Sequence, residues 1–222
     1  MTEYDITEAF RAIEKELLES MLRNMKRHRA EETEEGFEWS MWQAEQLKSL
    51  EKYKKDNQKK YEKRFKEING QIEALIIKAR ETGNMEQEIK ILQAIKKGFK
   101  GARKASRGAT AEFFKLNDRK LEALIKATIN DVEKAEVAIL RKAEDDYRKA
   151  IFNAQVYANT GAGTYEKAVD MATKDMLSRG LNCVVYANGA QHTLADYADM
   201  AIRTANKRAY LQGEGEKRQE WG

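Results

Sequence analysis

The chain has 222 residues, of which 41% are apolar, 35% charged and 9% aromatic, with no proline and one cysteine, Cys183. A single cysteine excludes an intramolecular disulfide, and the lack of proline argues against a fold rich in loops and turns, which proline commonly punctuates. No stretch approaches the roughly 18 consecutive apolar residues of a membrane span, and "MTEYDITEAF" lacks the basic start and apolar run of a secretory leader.

This composition predicts a mainly α protein, an elongated helical bundle or rod with a thin core. The net charge of +4 is unevenly distributed: residues 1–36 sum to −4, residues 37–120 to +9 and residues 121–222 to −1. The basic character lies in the middle third.

In chain order, Ile6, Phe10, Ile13, Leu17, Met21 and Met25 recur every three or four residues, which predicts an amphipathic helix over 5–29. Asp5 and Glu8 have the spacing of a capping box at its start. The acidic run "AEETEEGFEWS" at 30–40 reads as a linker. A second helix is expected over 39–69, although "EKYKKDNQKK" carries only Tyr53 as an apolar residue, so this part reads as solvent-bridging or held by a partner.

Asn69-Gly70 and "TGN" at 82–84 read as helix stops, giving two further short helices over 71–81 and 85–98. These pieces form an expected N-terminal helical region, 1–109. The remainder, 110–222, opens with a long amphipathic helix from about Thr110 to Ala158, striped by Leu121, Ile125, Val132, Ile139, Tyr147 and Ile151. "GAG" at 161–163 reads as a connector, and a helix from Tyr165 to Arg179 should stop at Gly180.

The period then changes. "LNCVVYANGAQHTL" has a β-branched core and Asn188-Gly189, which predict a short β-hairpin at about 182–192 with a type I′ turn. Thr193, with Asp196 three residues on, should cap a final helix.

Little of this points to chemistry. Two histidines, His28 and His192, and one cysteine offer no zinc-ligand spacing. His192 fits a surface or hairpin-packing role better than catalysis. The glycines at 98, 101 and 108 match neither phosphate-loop spacing nor a strand-loop-helix context, so no cofactor is expected. The acids of "EDD" at 144–146 point about 100° apart on a helix and are better explained by local pairs with Arg141, Lys142, Arg148 and Lys149. No convergent nucleophile, base and ligand set exists, so an enzyme is not expected.

One stretch keeps two readings open. Lys96, Lys97, Lys100, Arg103, Lys104 and Arg107 fall within twelve residues around Phe99. They could hold nucleic-acid phosphates or a protein partner, or form a solvated basic hinge.

From Asp146 onward, "TYEKAVDMATKDMLSRG", "LNCVVYANGAQHT" and "LADYADMAIRTANKRAYLQ" resemble the phage minor capsid protein 2 family, similar in role to Mu-type head morphogenesis proteins. The Gly180 stop, Tyr186, and Asp196, Arg203, Thr204 and Asn206 on the last helix carry the likeness. The resemblance implies a structural virion protein, assembled in the host cytoplasm and sited at the portal vertex or inner head surface. It would act in head assembly or in genome packaging or ejection.

The resemblance further implies portal or major capsid protein as partners, packaged DNA as a further one, a homo- or hetero-oligomeric assembly and no membrane. Relatives continue into a C-terminal domain, so this chain is expected to end before it. On this reading Tyr186, Asn188, Gly189, Asp196, Arg203, Thr204 and Asn206 hold the hairpin and last helix in one packing, and a DNA-binding helical module using 96–107 is the alternative.

Overall fold

The computed structural model describes residues 2–35, 39–97, 111–160 and 180–221, with positions 167, 170, 171, 174 and 178 between them. It is mainly α with one two-stranded hairpin: α1 is Glu3–Glu35, α2 Trp39–Lys96, α3 Ala111–Asn159, β1 Val184–Val185, β2 Gln191–His192 and α4 Leu194–Trp221. The chain groups into two compact units, each assembled from separate segments: Met1–Thr7, Glu67–Glu133 and Ala198–Gly222 in the first, Glu8–Lys66 and Lys134–Tyr197 in the second. The expected division at 109/110 falls outside the described residues.

Two expected breaks, at Asn69-Gly70 and at 82–84, are absent, and positions 36–38 of the expected linker lie outside the described residues. α1 continues to Glu35 through the acids of the expected linker, and its first turn is capped three residues earlier than expected. Thr2 and Asp5 form the reciprocal box, the Thr2 N–H donating to Asp5 Oδ2 at 2.6 Å and the Asp5 N–H to Thr2 Oγ1 at 3.3 Å.

The larger correction is α2. It replaces the three expected helices 39–69, 71–81 and 85–98 with one helix of 58 residues, on the order of 85 Å long at the usual rise. Gly70 does not stop it because the apolar stripe stays in phase through Ile68, Ile72 and Ile76, all buried. A helical glycine costs only about 1 kcal/mol against alanine, which such packing overrides.

In the second unit, the stretch of α2 read as solvent-bridging is packed. Tyr53 and Tyr61 are 4% and 1% exposed, with Leu50 and Asn57 buried on the same face. The Tyr53 hydroxyl donates to Leu17 O on α1 at 3.1 Å, and its ring meets Tyr147 of α3 edge-on at 5.5 Å. Two tyrosines bring apolar area to a stretch whose other residues are mostly charged, and each hydroxyl finds an acceptor. Glu16 completes the contact by accepting from Lys60, Tyr61 and Arg64 at 2.8, 3.1 and 3.1 Å.

In the first unit, α2 and α4 approach backbone to backbone. A Cβ on Gly83 would stand 2.0 Å from Tyr210 O, and one on Gly213 2.0 Å from Arg80 O. Gly83, expected as a break, is a point of backbone-to-backbone helix contact. Ala205 and Ala209 of α4 are also buried, which keeps that face small.

The hairpin forms as expected but with a different turn. Val184 pairs with His192 and Val185 with Gln191. The Gly189 N–H donates to Tyr186 O at 2.8 Å and the Tyr186 N–H to Ala190 O at 2.9 Å. Gly189 has φ of 81°, and no described non-glycine residue has positive φ. A type I′ turn needs positive φ at Asn188 as well. The connection is therefore a type I turn closed by a left-handed glycine, the three-residue hairpin loop.

Candidate assembly site

The hairpin is fixed to the start of α4 within the second unit. Tyr186 lies edge-on to His192 with centroids 4.8 Å apart and tilted against Tyr197 at 6.3 Å. Asn188 braces the turn, its Oδ1 accepting the Ala190 N–H at 3.0 Å. His192 is thus a packing residue of the hairpin, and its carbonyl accepts the Cys183 N–H at 3.1 Å.

The N-terminus of α4 is satisfied twice. Thr193 Oγ1 accepts the Asp196 N–H at 3.2 Å, as the sequence spacing requires. Glu14, reaching from α1, accepts the Ala195 N–H at 3.0 Å. Burial raises the Glu14 carboxyl above its ordinary range despite the Ala195 and Leu194 N–H groups that favour its charge. Burial likewise pushes the Cys183 thiol up to about 12, helped by the Glu14 charge, so it is not a thiolate at neutral pH.

The remaining expected residues of α4 lie in the first unit and make other bonds. Arg203 Nε pairs with Asp199 Oδ2 at 2.9 Å, and Asp199 Oδ1 accepts from Thr7 of α1 at 3.2 Å. Asn206 donates to Glu3 of α1 at 2.5 Å. Thr204 is exposed. Asp199 and Asn206 join α4 to the first turns of α1, whereas Tyr186, Asn188 and Gly189 shape the hairpin.

A denser cluster, not foreseen from sequence, surrounds the glycine crossing. Arg80 of α2 donates from Nε to both oxygens of Glu216 at 3.1 and 3.0 Å and from Nη1 to Asp118 of α3 at 2.8 Å. The Arg80 and Glu216 side chains are only 18% and 5% exposed. Lys90 pairs with Glu214 at 2.9 Å and Lys217 with Glu88 at 3.3 Å, while Gln212 donates to Asn117 O at 2.7 Å. Apart from Arg80–Asp118, which are 38 positions apart, these contacts join residues 95 or more positions apart. Charge-assisted bonds of this kind fix one register of a tight crossing.

Of the basic segment, Lys96 and Lys97 close α2 and are exposed. Lys100, Arg103, Lys104 and Arg107 lie outside the described residues, as does the 161–163 connector. In the acidic run 144–146, Asp146 pairs with Lys142 at 2.5 Å and Glu144 with Lys54 of α2 at 3.2 Å. No group of three or more His, Cys, Asp or Glu able to hold a metal occurs among the described residues, and none of their helices is long and apolar enough to cross a membrane.

These features define a mainly α protein in which Glu14, Arg80, Asn206 and Glu216 join helix to helix. The chain belongs to the phage minor capsid protein 2 family, which it matches over residues 2–222. It is a phage minor capsid protein, a component of the virion. No curated protein and no solved structure matches the chain.

Proposed function

We propose that the chain is a structural part of the phage head at the portal vertex or inner head surface, contributing to head assembly or genome packaging or ejection. Its partners on this reading are the portal protein, the major capsid protein, or both. The observation that carries the proposal is the family match along nearly the whole chain. The packing agrees with a structural role: Glu14, Arg80 and Asn206, polar groups able to do chemistry elsewhere, are spent on helix contacts.

Cross-linking mass spectrometry on purified particles tests it. Links from this chain to portal or major capsid subunits are the expected result; links to tail subunits alone would overturn it.

A second reading adds packaged DNA as a partner of 96–107. It rests on six cations within twelve residues, with Lys96 and Lys97 exposed at the end of α2. Retention of DNA on filters by the full chain should fall steeply with salt; no retention at low salt removes this reading.

A further inference from the structure

The first unit carries an open groove of about 550 Å³ between α2 and α4. Its floor is Leu75 and Ala79, and Lys78, Arg203 and Lys207 stand around it, with Glu3 at one end. Neither Lys78 nor Lys207 makes an ion pair among the described residues, although Lys207 lies over the Tyr210 ring at 5.4 Å. Arg203 has only Asp199 on its own helix, and its side chain remains 67% exposed. Elsewhere in this unit, Arg80, Lys90 and Lys217 are each bonded to carboxylates of another helix. The groove is therefore where cations of two helices converge with no ion pair to a carboxylate of another helix.

We propose that this groove binds an acidic, amphipathic peptide segment of a partner chain. Carboxylates of such a segment would meet Lys78 and Lys207 and could take the two-pronged guanidinium of Arg203. An apolar side chain between them would cover Leu75 and Ala79, the arrangement of a helix or strand seated in a groove. A nucleic acid fits less well. The apolar side chains of Leu75 and Ala79 suit an apolar side chain of a peptide and offer nothing to a phosphate. The inference is independent of where in the head the chain sits.

The test is fluorescence anisotropy of the full chain with two labelled probes, a short synthetic Glu/Leu amphipathic peptide and a short duplex DNA. Lys78→Glu combined with Lys207→Glu is compared with wild type, and Lys48→Glu, a charge reversal at an exposed position outside the groove, serves as control. Peptide binding that falls about tenfold or more in the double variant, and holds in the control, is the expected result, since reversal replaces two attractions with two repulsions. Circular dichroism checks the fold. If the double variant is unfolded, Lys78→Met with Lys207→Met should still weaken peptide binding, by less, because it removes the two attractions without adding repulsions. Equal peptide binding by wild type and the groove variants would overturn the proposal, as would a groove that retains only the DNA probe.

Discussion

Gly83 on α2 faces the Tyr210 backbone on α4 so closely that a Cβ at position 83 would stand 2.0 Å from the Tyr210 carbonyl oxygen. Gly213 repeats the relationship in the other direction, against Arg80. The obstacle in each case is backbone, which has no rotamer to move aside.

Four glycine-to-alanine variants therefore divide by sign. In a helix interior the change ordinarily stabilises by roughly 0.5–1 kcal/mol. Gly70 and Gly215 have open space at the Cβ position and should show that gain. At Gly83 and Gly213 overpacking, typically about 1–3 kcal/mol, should outweigh it. Thermal melts read the difference, and stabilisation by Gly83→Ala would mean the helices are not in backbone contact.

The Arg80–Glu216 pair beside this crossing should be strongly coupled. Glu216→Ala leaves a mostly buried guanidinium with Asp118 alone, and a loss of about 2–3 kcal/mol is expected. Arg80→Met should cost less when Glu216 is also replaced by Met than when Glu216 remains, because the second change removes the stranded carboxylate. A double-mutant cycle in urea measures this coupling. Additive losses would show that the two side chains do not meet.

Two carboxylates one turn-fraction apart on α1 should respond to pH with opposite signs. The Glu14 carboxyl is raised by burial, so the folded state holds its proton more tightly than the unfolded chain. Its contribution is fully present below the unfolded value near 4.5 and is lost as pH rises through the higher folded value. Glu16 is lowered, chiefly by its bond from Lys60. Its contribution is present above 4.5 and is lost as pH falls through the lower folded value. Relative to wild type, Glu14→Gln should gain in melting temperature between pH 4 and pH 7, and Glu16→Gln should lose. Parallel pH profiles for all three proteins would contradict both assignments.

The hairpin turn gives a separate discrimination. Only Gly189 has positive φ there, so Gly189→Ala should cost about 1–2 kcal/mol from left-handed strain. Asn188→Ala removes one exposed side-chain bond to the Ala190 N–H, worth about 0.5–1 kcal/mol. Comparable large losses at both positions would instead indicate the type I′ turn that Asn-Gly suggests in isolation.

Legibility followed the range of the interactions. The α1 stripe from Ile6 to Met25 is buried throughout, because a 3.6-residue period is written locally. The hairpin and the Thr193 cap were legible for the same reason. Gly70 and Gly83 look like stops in the sequence, since a glycine that ends a helix is not distinguished locally from one carried through it, as at Gly70, or one that admits a neighbouring backbone, as at Gly83. Tyr53 alone looks too sparse in the sequence to anchor the stretch 51–60 of α2, yet it brings a large ring and a satisfied hydroxyl. The Arg80–Glu216 pair is 136 positions apart, and nothing in local spacing announces it. Arg203 and Asn206 carried the family likeness, but their bonds to Asp199 and Glu3 were not readable from it.

The central claim is that this protein belongs to the phage head. Heads and tails separated from purified particles, each quantified by mass spectrometry against the major capsid protein, test it most directly. The expected result is the chain in the head fraction, in far fewer copies than the major capsid protein. Its absence from heads, or its recovery with tails alone, would contradict the assignment.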